Sequence, residues 1–139
     1  MRTTLLLCDY AQEVGGKLYI LGGGWSMYRG SPVTMGLAVK IAVPWDEANI
    51  THDFSAKLVT EDGGDPVLPR AEGGAAPTPL EFQGRFETGR PPGIPPGSDL
   101  DAPFVVNIAG LPLAVGRYEW QVLIDQELVD RVSFSVMSA

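Results

Sequence analysis

The densest group of potentially reactive side chains follows the proline at position 44 and consists of Asp46, Glu47, Asn49 and His52. A calcium ion takes about six or more oxygen ligands, and this loop supplies three such side chains at most. Zinc prefers several His or Cys ligands, whereas the chain contains one of each, His52 and Cys8. We therefore interpret the segment as a structural loop, in which Asp46 caps a helical turn and His52 lies at the surface or a sheet edge.

The nucleophiles and acids show no catalytic spacing. The chain has no His-x-His, Gly-x-Ser-x-Gly or Cys-x-x-Cys pattern. Cys8 ends an apolar run, where a buried and unreactive thiol is expected. Acid pairs for glycoside hydrolysis would require carboxylates to converge in space, and nothing in the spacing requires this of Asp9, Asp46, Glu47, Asp99 and Asp101. We predict that the protein is not an enzyme and has no cofactor or metal site.

The glycine triplet before Trp25, at positions 22–24, invites a comparison with phosphate-binding loops. Such a loop ends in Gly-Lys-Ser/Thr and leads into a helix whose N-terminus faces the phosphates. Here Trp25 follows directly, and Gly30-Ser31-Pro32 ends any helix soon afterwards. The triplet therefore predicts a strand bulge or a close approach of two backbones.

The charge balance excludes some partners. The net charge is −7, with only ten Lys and Arg, so nucleic acid and anionic membranes are not expected partners. No secretory signal is evident after Met1, and no apolar run approaches the ~18 residues of a membrane span. A single cysteine fits a reducing cytoplasm, and Arg, Gly, Ala and Pro usage hints at a GC-rich bacterial genome. We expect a cytoplasmic location.

Residues 111–136 give the strongest structural signal. Tyr118 begins an alternation of apolar and polar residues that continues to residue 124 and resumes after a polar turn, as in a half-buried hairpin. The pattern Leu113-x-x-Gly116-x-Tyr118 resembles the tyrosine corner of Greek-key sandwiches. With 17 Gly and 12 Pro separating short segments, the sequence predicts an all-β fold. The expected architecture is an antiparallel, Greek-key, immunoglobulin-like β-sandwich of about seven or eight strands, forming a single domain over residues 1–139.

The remaining strands are predicted from the same alternation. The segment 10–14 is interpreted as a connection, 17–21 as a strand covered on both faces, and 69–79 as a flexible loop. Small residues on one face of the strand 35–43 permit close approach of another sheet, chain or subunit. The other predicted strands are 3–9, 54–59, 66–68, 80–87 and 104–108.

Two segments are candidates for contact with a partner. Trp25, Met27 and Tyr28 either cap the core or form an apolar patch. The segment GRPPGIPPG at 89–97 is interpreted as a stiff extended crossover or as a rigid docking segment. The candidate interaction surface consists of Trp25, Met27, Tyr28, Trp45, Pro91, Pro92, Ile94 and Pro95.

Several segments together, DYA, GGKLYILGGGW, VPWDEAN, GRPPGIPPG and LPLAVGRYEWQVLID, resemble a family of small bacterial proteins of unknown function. The resemblance spans nearly the whole chain and implies a stand-alone cytoplasmic domain without transferring an active site. We expect a non-catalytic module that acts by protein–protein contact or self-association. The alternative is a ligand-binding sandwich, which would hold carbohydrate on Trp25 and Trp45 or calcium on turn carboxylates.

Overall fold

The computed structural model describes all residues from 1 to 139, and it is built almost entirely of β-strands. One 3₁₀ turn, Trp45–Glu47, interrupts them, and no helix is long and apolar enough to cross a membrane. The twelve strands are β1 (Arg2–Cys8), β2 (Tyr10–Val14), β3 (Lys17–Leu21), β4 (Met27–Arg29), β5 (Val33–Val43), β6 (His52–Thr60), β7 (Val67–Pro69), β8 (Ala75–Pro77), β9 (Leu80–Phe86), β10 (Leu100–Leu111), β11 (Gly116–Ile124) and β12 (Glu127–Met137).

Two sheets form a β-sandwich of the Greek-key, immunoglobulin-like kind. One sheet has the strand order β1-β5-β10 and the other β4-β12-β11-β6-β9. All their pairings are antiparallel except that β4 runs parallel to β12. The predicted sandwich is thus confirmed, and its two sheets hold eight strands. The prediction of about seven or eight strands in total was too low, because four short strands form two additional hairpins.

The tyrosine corner is confirmed at the start of β11. The hydroxyl of Tyr118 donates a hydrogen bond to the carbonyl oxygen of Ala114 at 2.8 Å, four residues upstream. The ring itself is buried and stacks near Phe134. Burial raises the pKa of the Tyr118 hydroxyl. The corner anchors the connection between the two sheets, as the sequence pattern predicts.

The core lies between the inward faces of the two sheets. Successive strand side chains point to opposite faces, so the central strands β6 and β11 bury alternate residues. On its core-facing side, β5 buries the predicted residues Met35, Leu37, Val39, Ile41 and Val43. Val33 and some residues of the opposite face are buried as well. Across the core, β11 contributes Tyr118, Trp120, Val122 and Ile124. The predicted alternation of 118–124 is therefore confirmed.

The segment 10–14 is a strand, which corrects its interpretation as a connection. It pairs antiparallel with β3 and forms the hairpin β2–β3. This hairpin folds over the outer face of the three-stranded sheet, where Ala11 is buried with Cys8 and Ala38. The strand 17–21 is therefore covered on one face only, and the prediction that both of its faces are covered was wrong.

Two further loops differ from their predicted form. Residues 75–77 pair with β7 in the hairpin β7–β8, so the segment 69–79 is not a structureless loop. The crossover 89–97 is not extended, because it contains two consecutive tight turns. Ile94 N–H donates to the Pro91 carbonyl and Ser98 N–H to the Pro95 carbonyl, each at 3.2 Å. Each turn has Pro followed by a glycine of positive φ, as type II turns require.

Candidate functional site

The predicted loop cluster contains one feature that the sequence did not reveal. His52 is only 4% exposed, so its expected place at the surface was wrong. Its Nδ1 lies 2.8 Å from Oδ2 of Asp125, and its Nε2 lies 3.2 Å from the carbonyl oxygen of Glu47. The ring also packs against Phe86 at a centroid distance of 5.3 Å. His52 thus joins the 3₁₀ turn to the turn between β11 and β12.

The hydrogen-bond geometry selects the protonated form of His52. Both ring nitrogens face acceptors, and only the imidazolium carries a donor on each. Burial lowers the pKa of His52, but the hydrogen bonds to Asp125 and to the Glu47 carbonyl outweigh it, so the pKa is raised. The same contact, with a bond from the Asp53 N–H, lowers the pKa of Asp125. These contacts describe a structural ion pair.

Asp46 does not cap the 3₁₀ turn, contrary to prediction. Pro44 occupies the N-cap position, and no side chain makes a capping hydrogen bond. The turn is held instead by the His52 ring and by Arg90, whose guanidinium donates to the Trp45 carbonyl oxygen at 2.6 Å. Nowhere in the chain do three or more His, Cys, Asp or Glu side chains form a group that could hold a metal ion.

Cys8 lies beneath the hairpin β2–β3 and is fully buried. Burial, with a smaller contribution from Asp9, raises the pKa of its thiol. A raised pKa leaves little thiolate near neutral pH, and the thiolate is the reactive form. This environment agrees with the predicted inert thiol.

The candidate interaction residues do not form one surface. Trp25 is half-buried against Tyr28 and Phe134, with centroid distances of 5.6 and 6.3 Å, whereas Met27 is exposed. These three candidates lie where β4 pairs with the end of β12, near residues 135–137. They are at the end of the sandwich that also holds the tyrosine corner.

The other candidates lie at the opposite end. Trp45 lies two residues after the end of β5, and the guanidinium of Arg90 lies 4.3 Å from its ring centroid, so one ring face is covered. The prolines 91, 92 and 95 are exposed, and Ile94 is partly buried against the core. Because β5 has eleven residues, its length separates the two groups by roughly 35 Å.

A different surface groups four of the ten large apolar side chains that are exposed. The face of the hairpin β2–β3 that points away from the sandwich presents six side chains, and four of them are large and apolar. Tyr10 is 45% exposed, Val14 and Tyr19 are each 55% exposed, and Leu21 is 67% exposed. Gln12 and Lys17 complete this surface, which we call the outer hairpin face.

The hairpin β2–β3, which carries the outer hairpin face, is hydrogen-bonded to the sandwich. The Asn107 side chain donates from Nδ2 to the Ala11 carbonyl at 2.8 Å and accepts from the Ala11 N–H at 3.2 Å. Gly36 lies directly beneath, and a Cβ there would stand 2.7 Å from Asn107 Oδ1 and 2.9 Å from Cys8 Sγ. The small residues Gly36 and Ala38 of β5 therefore pack against the chain's own hairpin. At these positions the hairpin, and no other chain or subunit, makes the close approach that the small residues permit.

The glycine triplet allows the chain to return from this hairpin. A Cβ at Gly22 would overlap the Asp9 carboxylate, and one at Gly23 would lie 2.9 Å from Ile20. The Gly24 N–H donates to the Leu7 carbonyl at 2.8 Å. The predicted close backbone approach is confirmed, and a signal for the hairpin was present in the Gly15-Gly16 turn between two apolar segments.

A second exposed region is polar and lies on the outer face of β6 and β9. Arg85 Nε lies 3.2 Å from Asp53 Oδ1. Glu81 accepts hydrogen bonds from Ser55 at 2.6 Å and from Gln83 at 3.1 Å. These hydrogen bonds lower the pKa of Glu81.

The chain matches a family of known proteins over nearly its whole length. The model of a family described as a "Family of unknown function (DUF6941)" matches residues 3–137. The chain belongs to this family. No curated protein matches the chain. Membership of DUF6941 supports the resemblance to an uncharacterised family, and the site must be interpreted from the chain's own residues.

Proposed function

We propose that this member of DUF6941 is a non-catalytic interaction module that acts by protein–protein contact. The observation that carries the proposal is the outer hairpin face, on which Tyr10, Val14, Tyr19 and Leu21 are exposed together. Soluble proteins rarely leave large contiguous apolar patches uncovered, and such patches mark interaction sites. Tyrosine is also enriched where proteins meet.

The fold's own stability does not require an apolar outer hairpin face. The inner face of the hairpin already packs on the sheet through Ala11 and Leu18, and the outer residues are on the opposite side of the pleat. Polar residues at these outer positions would satisfy the hairpin equally well. A binding role therefore gives a reason for the apolar residues that packing does not provide.

The remaining features agree with a non-enzymatic role. His52 is held between two acceptors as a structural group, and Cys8 lies buried beneath the hairpin. We propose the bacterial cytoplasm as the compartment, because the lone buried thiol and the composition suit it. The acidic balance of −7 argues for a protein partner and against nucleic acid or an anionic membrane.

No observation favours the ligand-binding alternative. Sugar binding would need open aromatic ring faces, whereas Trp25 packs on its neighbours and Arg90 covers one face of Trp45. A calcium site would need converging oxygen ligands, and the acidic side chains form no such group. We therefore propose the protein-contact role alone.

Quantitative affinity purification from the source organism tests the proposal. Tagged wild-type protein is compared with a Tyr19→Ser/Leu21→Ser variant, which removes two apolar side chains from the outer hairpin face. Each buried side chain of this size contributes about 1.5–3 kcal/mol, so recovery of a specific partner should fall at least about tenfold.

The matched control is Met27→Ser/Leu128→Ser, which removes two exposed apolar residues away from the hairpin. The proposal expects the control to recover the partner as the wild type does. A loss in the control with retention in the hairpin variant would move the contact to Met27 or Leu128 and overturn the proposal. Equal recovery by all three proteins would overturn it as well.

A further inference from the structure

Strand β9 leaves its outer backbone edge unpaired. It is the last strand of the five-stranded sheet and pairs only with β6. No other backbone or side-chain hydrogen bond in the chain involves the backbone of residues 80–86. An edge strand with free N–H and C=O groups is a template for pairing with another chain.

The sequence of β9, LEFQGRF, is complementary to itself when read in the antiparallel direction. When two copies pair in the antiparallel direction about a two-fold axis at Gln83, Glu81 of each copy lies opposite Arg85 of the other. The same register sets Phe82 opposite Gly84. We infer that β9 is a dimerisation edge, at which two copies of this chain join their five-stranded sheets into one continuous sheet.

The charges on the outer face extend this complementarity beyond β9. Within one chain, Lys57 lies opposite Glu81 and Asp53 lies opposite Arg85 across the β6–β9 pair. In the paired register, a row across the junction reads Lys57 and Glu81 from one copy, then Arg85 and Asp53 from the other. The signs alternate along the row, and opposite charges in directly opposed strand positions stabilise a sheet.

Glu81, Arg85 and Asp53 are exposed, so their side chains are accessible to a second copy. The existing Arg85–Asp53 contact is highly exposed, with 79% and 56% of the two side chains accessible. Exposed pairs of this kind contribute little to stability, so sharing Arg85 with a second carboxylate carries little cost. Isologous pairing about a two-fold axis is also the commonest symmetry of dimers.

The inner face of β9 supplies an apolar complement. Leu80, Phe82 and Phe86 alternate on this face and pack partly against the core. Gly84 is exposed, and a Cβ there would meet no atom within 4 Å. The register therefore places the Phe82 ring of one copy beside the open space at Gly84 of the other, an arrangement in which an aromatic side chain covers a strand glycine.

The other sheet edges are less suited to self-pairing. Strand β4 has three residues, and β10 contains Pro103, which has no N–H to donate. The β1 edge is partly occupied, because the Gly24 N–H donates to the Leu7 carbonyl at 2.8 Å. Strand β9 is the seven-residue edge that has neither proline nor a bound backbone neighbour.

This inference rests on the proposed function only in taking the protein to act by protein contact, and sedimentation of the purified full chain tests it separately. The single variants Glu81→Arg and Arg85→Glu each set like charges opposite one another on both sides of the axis. Each should raise the dimer dissociation constant at least about tenfold. The double variant Glu81→Arg/Arg85→Glu exchanges the signs and should restore dimerisation to within about threefold of the wild type.

Arg131→Glu is the matched control, since it makes the same charge change on an exposed position of β12. It should leave the dimer intact, and circular dichroism with thermal unfolding verifies that each variant is folded. A wild-type chain that stays monomeric at the highest soluble concentration overturns the inference. So does a double variant that remains monomeric, or a dimer that tolerates both single variants. A dimer dispersed only by Tyr19→Ser/Leu21→Ser assigns self-association to the hairpin and overturns it too.

Discussion

Replacing Asp125 by asparagine removes the anionic partner of His52 while preserving the shape of the turn. Asp125 has a φ of 51°, and asparagine adopts this left-handed conformation readily. The amide oxygen of asparagine can still accept the hydrogen bond from the Asp53 N–H, now made to Oδ1 at 2.9 Å. The variant therefore removes the negative charge and keeps both the turn conformation and the hydrogen bond from the Asp53 N–H.

The expected loss follows from the geometry of the pair. A hydrogen bond to a charged group contributes about 1.5–3 kcal/mol, and the 2.8 Å contact between His52 and Asp125 is of this kind. The Asp125 side chain is 52% exposed, so solvent screening reduces the value to about 1 kcal/mol. In a chain of this size, that loss lowers the midpoint of thermal unfolding by about 4 °C.

The pH dependence of this loss has a definite sign. The raised pKa of His52 means that its contribution is complete below the unfolded value of about 6.5 and declines as pH rises through the folded value. The lowered pKa of Asp125 means that its contribution is present above about pH 4 and declines as pH falls. The difference between wild type and Asp125→Asn should therefore be largest between about pH 4 and pH 6.5 and shrink as the pH rises through the folded pKa of His52.

Calorimetry across this pH range provides the measurement, and Asp99→Asn provides the control because its carboxylate faces only Arg2. His52 is the sole histidine, so its NMR titration is unambiguous. A stability difference that stays constant from acid to alkaline pH would refute the reasoning. A His52 pKa below the ordinary histidine value would refute it equally.

Three further changes test other parts of the structure. Tyr118→Phe removes the bond to the Ala114 carbonyl and should lower the free energy of unfolding in urea by about 1 kcal/mol; an unchanged value would contradict the tyrosine corner. Gly36→Val drives a side chain into Asn107, so amide exchange should become faster in the hairpin β2–β3 than in the core strands, whereas uniform acceleration would argue against a separately anchored hairpin. Cys8 should react with a thiol reagent only after unfolding, and rapid reaction of the folded chain would contradict its burial.

The sequence was sufficient to predict the sandwich and its central hairpin. Alternation over 118–124 identified the buried face, and the Leu-x-x-Gly-x-Tyr pattern identified the corner, because both signals are local. The strand 80–87 was also predicted, and it is one residue longer than the observed Leu80–Phe86. Its ability to face a second copy depends on which strand ends the sheet, and a single sequence does not give strand order.

The hairpin β2–β3 was missed for a physical reason. The residues 10–14 mix aromatic, polar and acidic side chains, and strand patterns are recognised by a polar face turned to water. Here the face turned to water is the apolar one, so Tyr19 and Leu21 suggested burial on both sides. An exposed apolar face violates the local rule, and such violations are expected at functional sites.

His52 was misplaced because its partners are distant in sequence. Asp125 is separated from it by 73 positions, and no spacing rule connects them. The two halves of the candidate interaction surface were grouped by residue type, whereas β5 holds them at opposite ends of the sandwich. Residue chemistry was therefore predictable from the sequence, and its spatial grouping was not.

The outer hairpin face as a contact surface is tested most directly by cross-linking inside the source cells. A photoreactive amino acid is placed at position 19 in one protein and at position 131, on the outer face of the other sheet, in a second. The proposed function predicts a discrete cross-linked protein of reproducible mass from position 19 and none from position 131. Equal labelling from both positions, or no adduct from position 19, would contradict it.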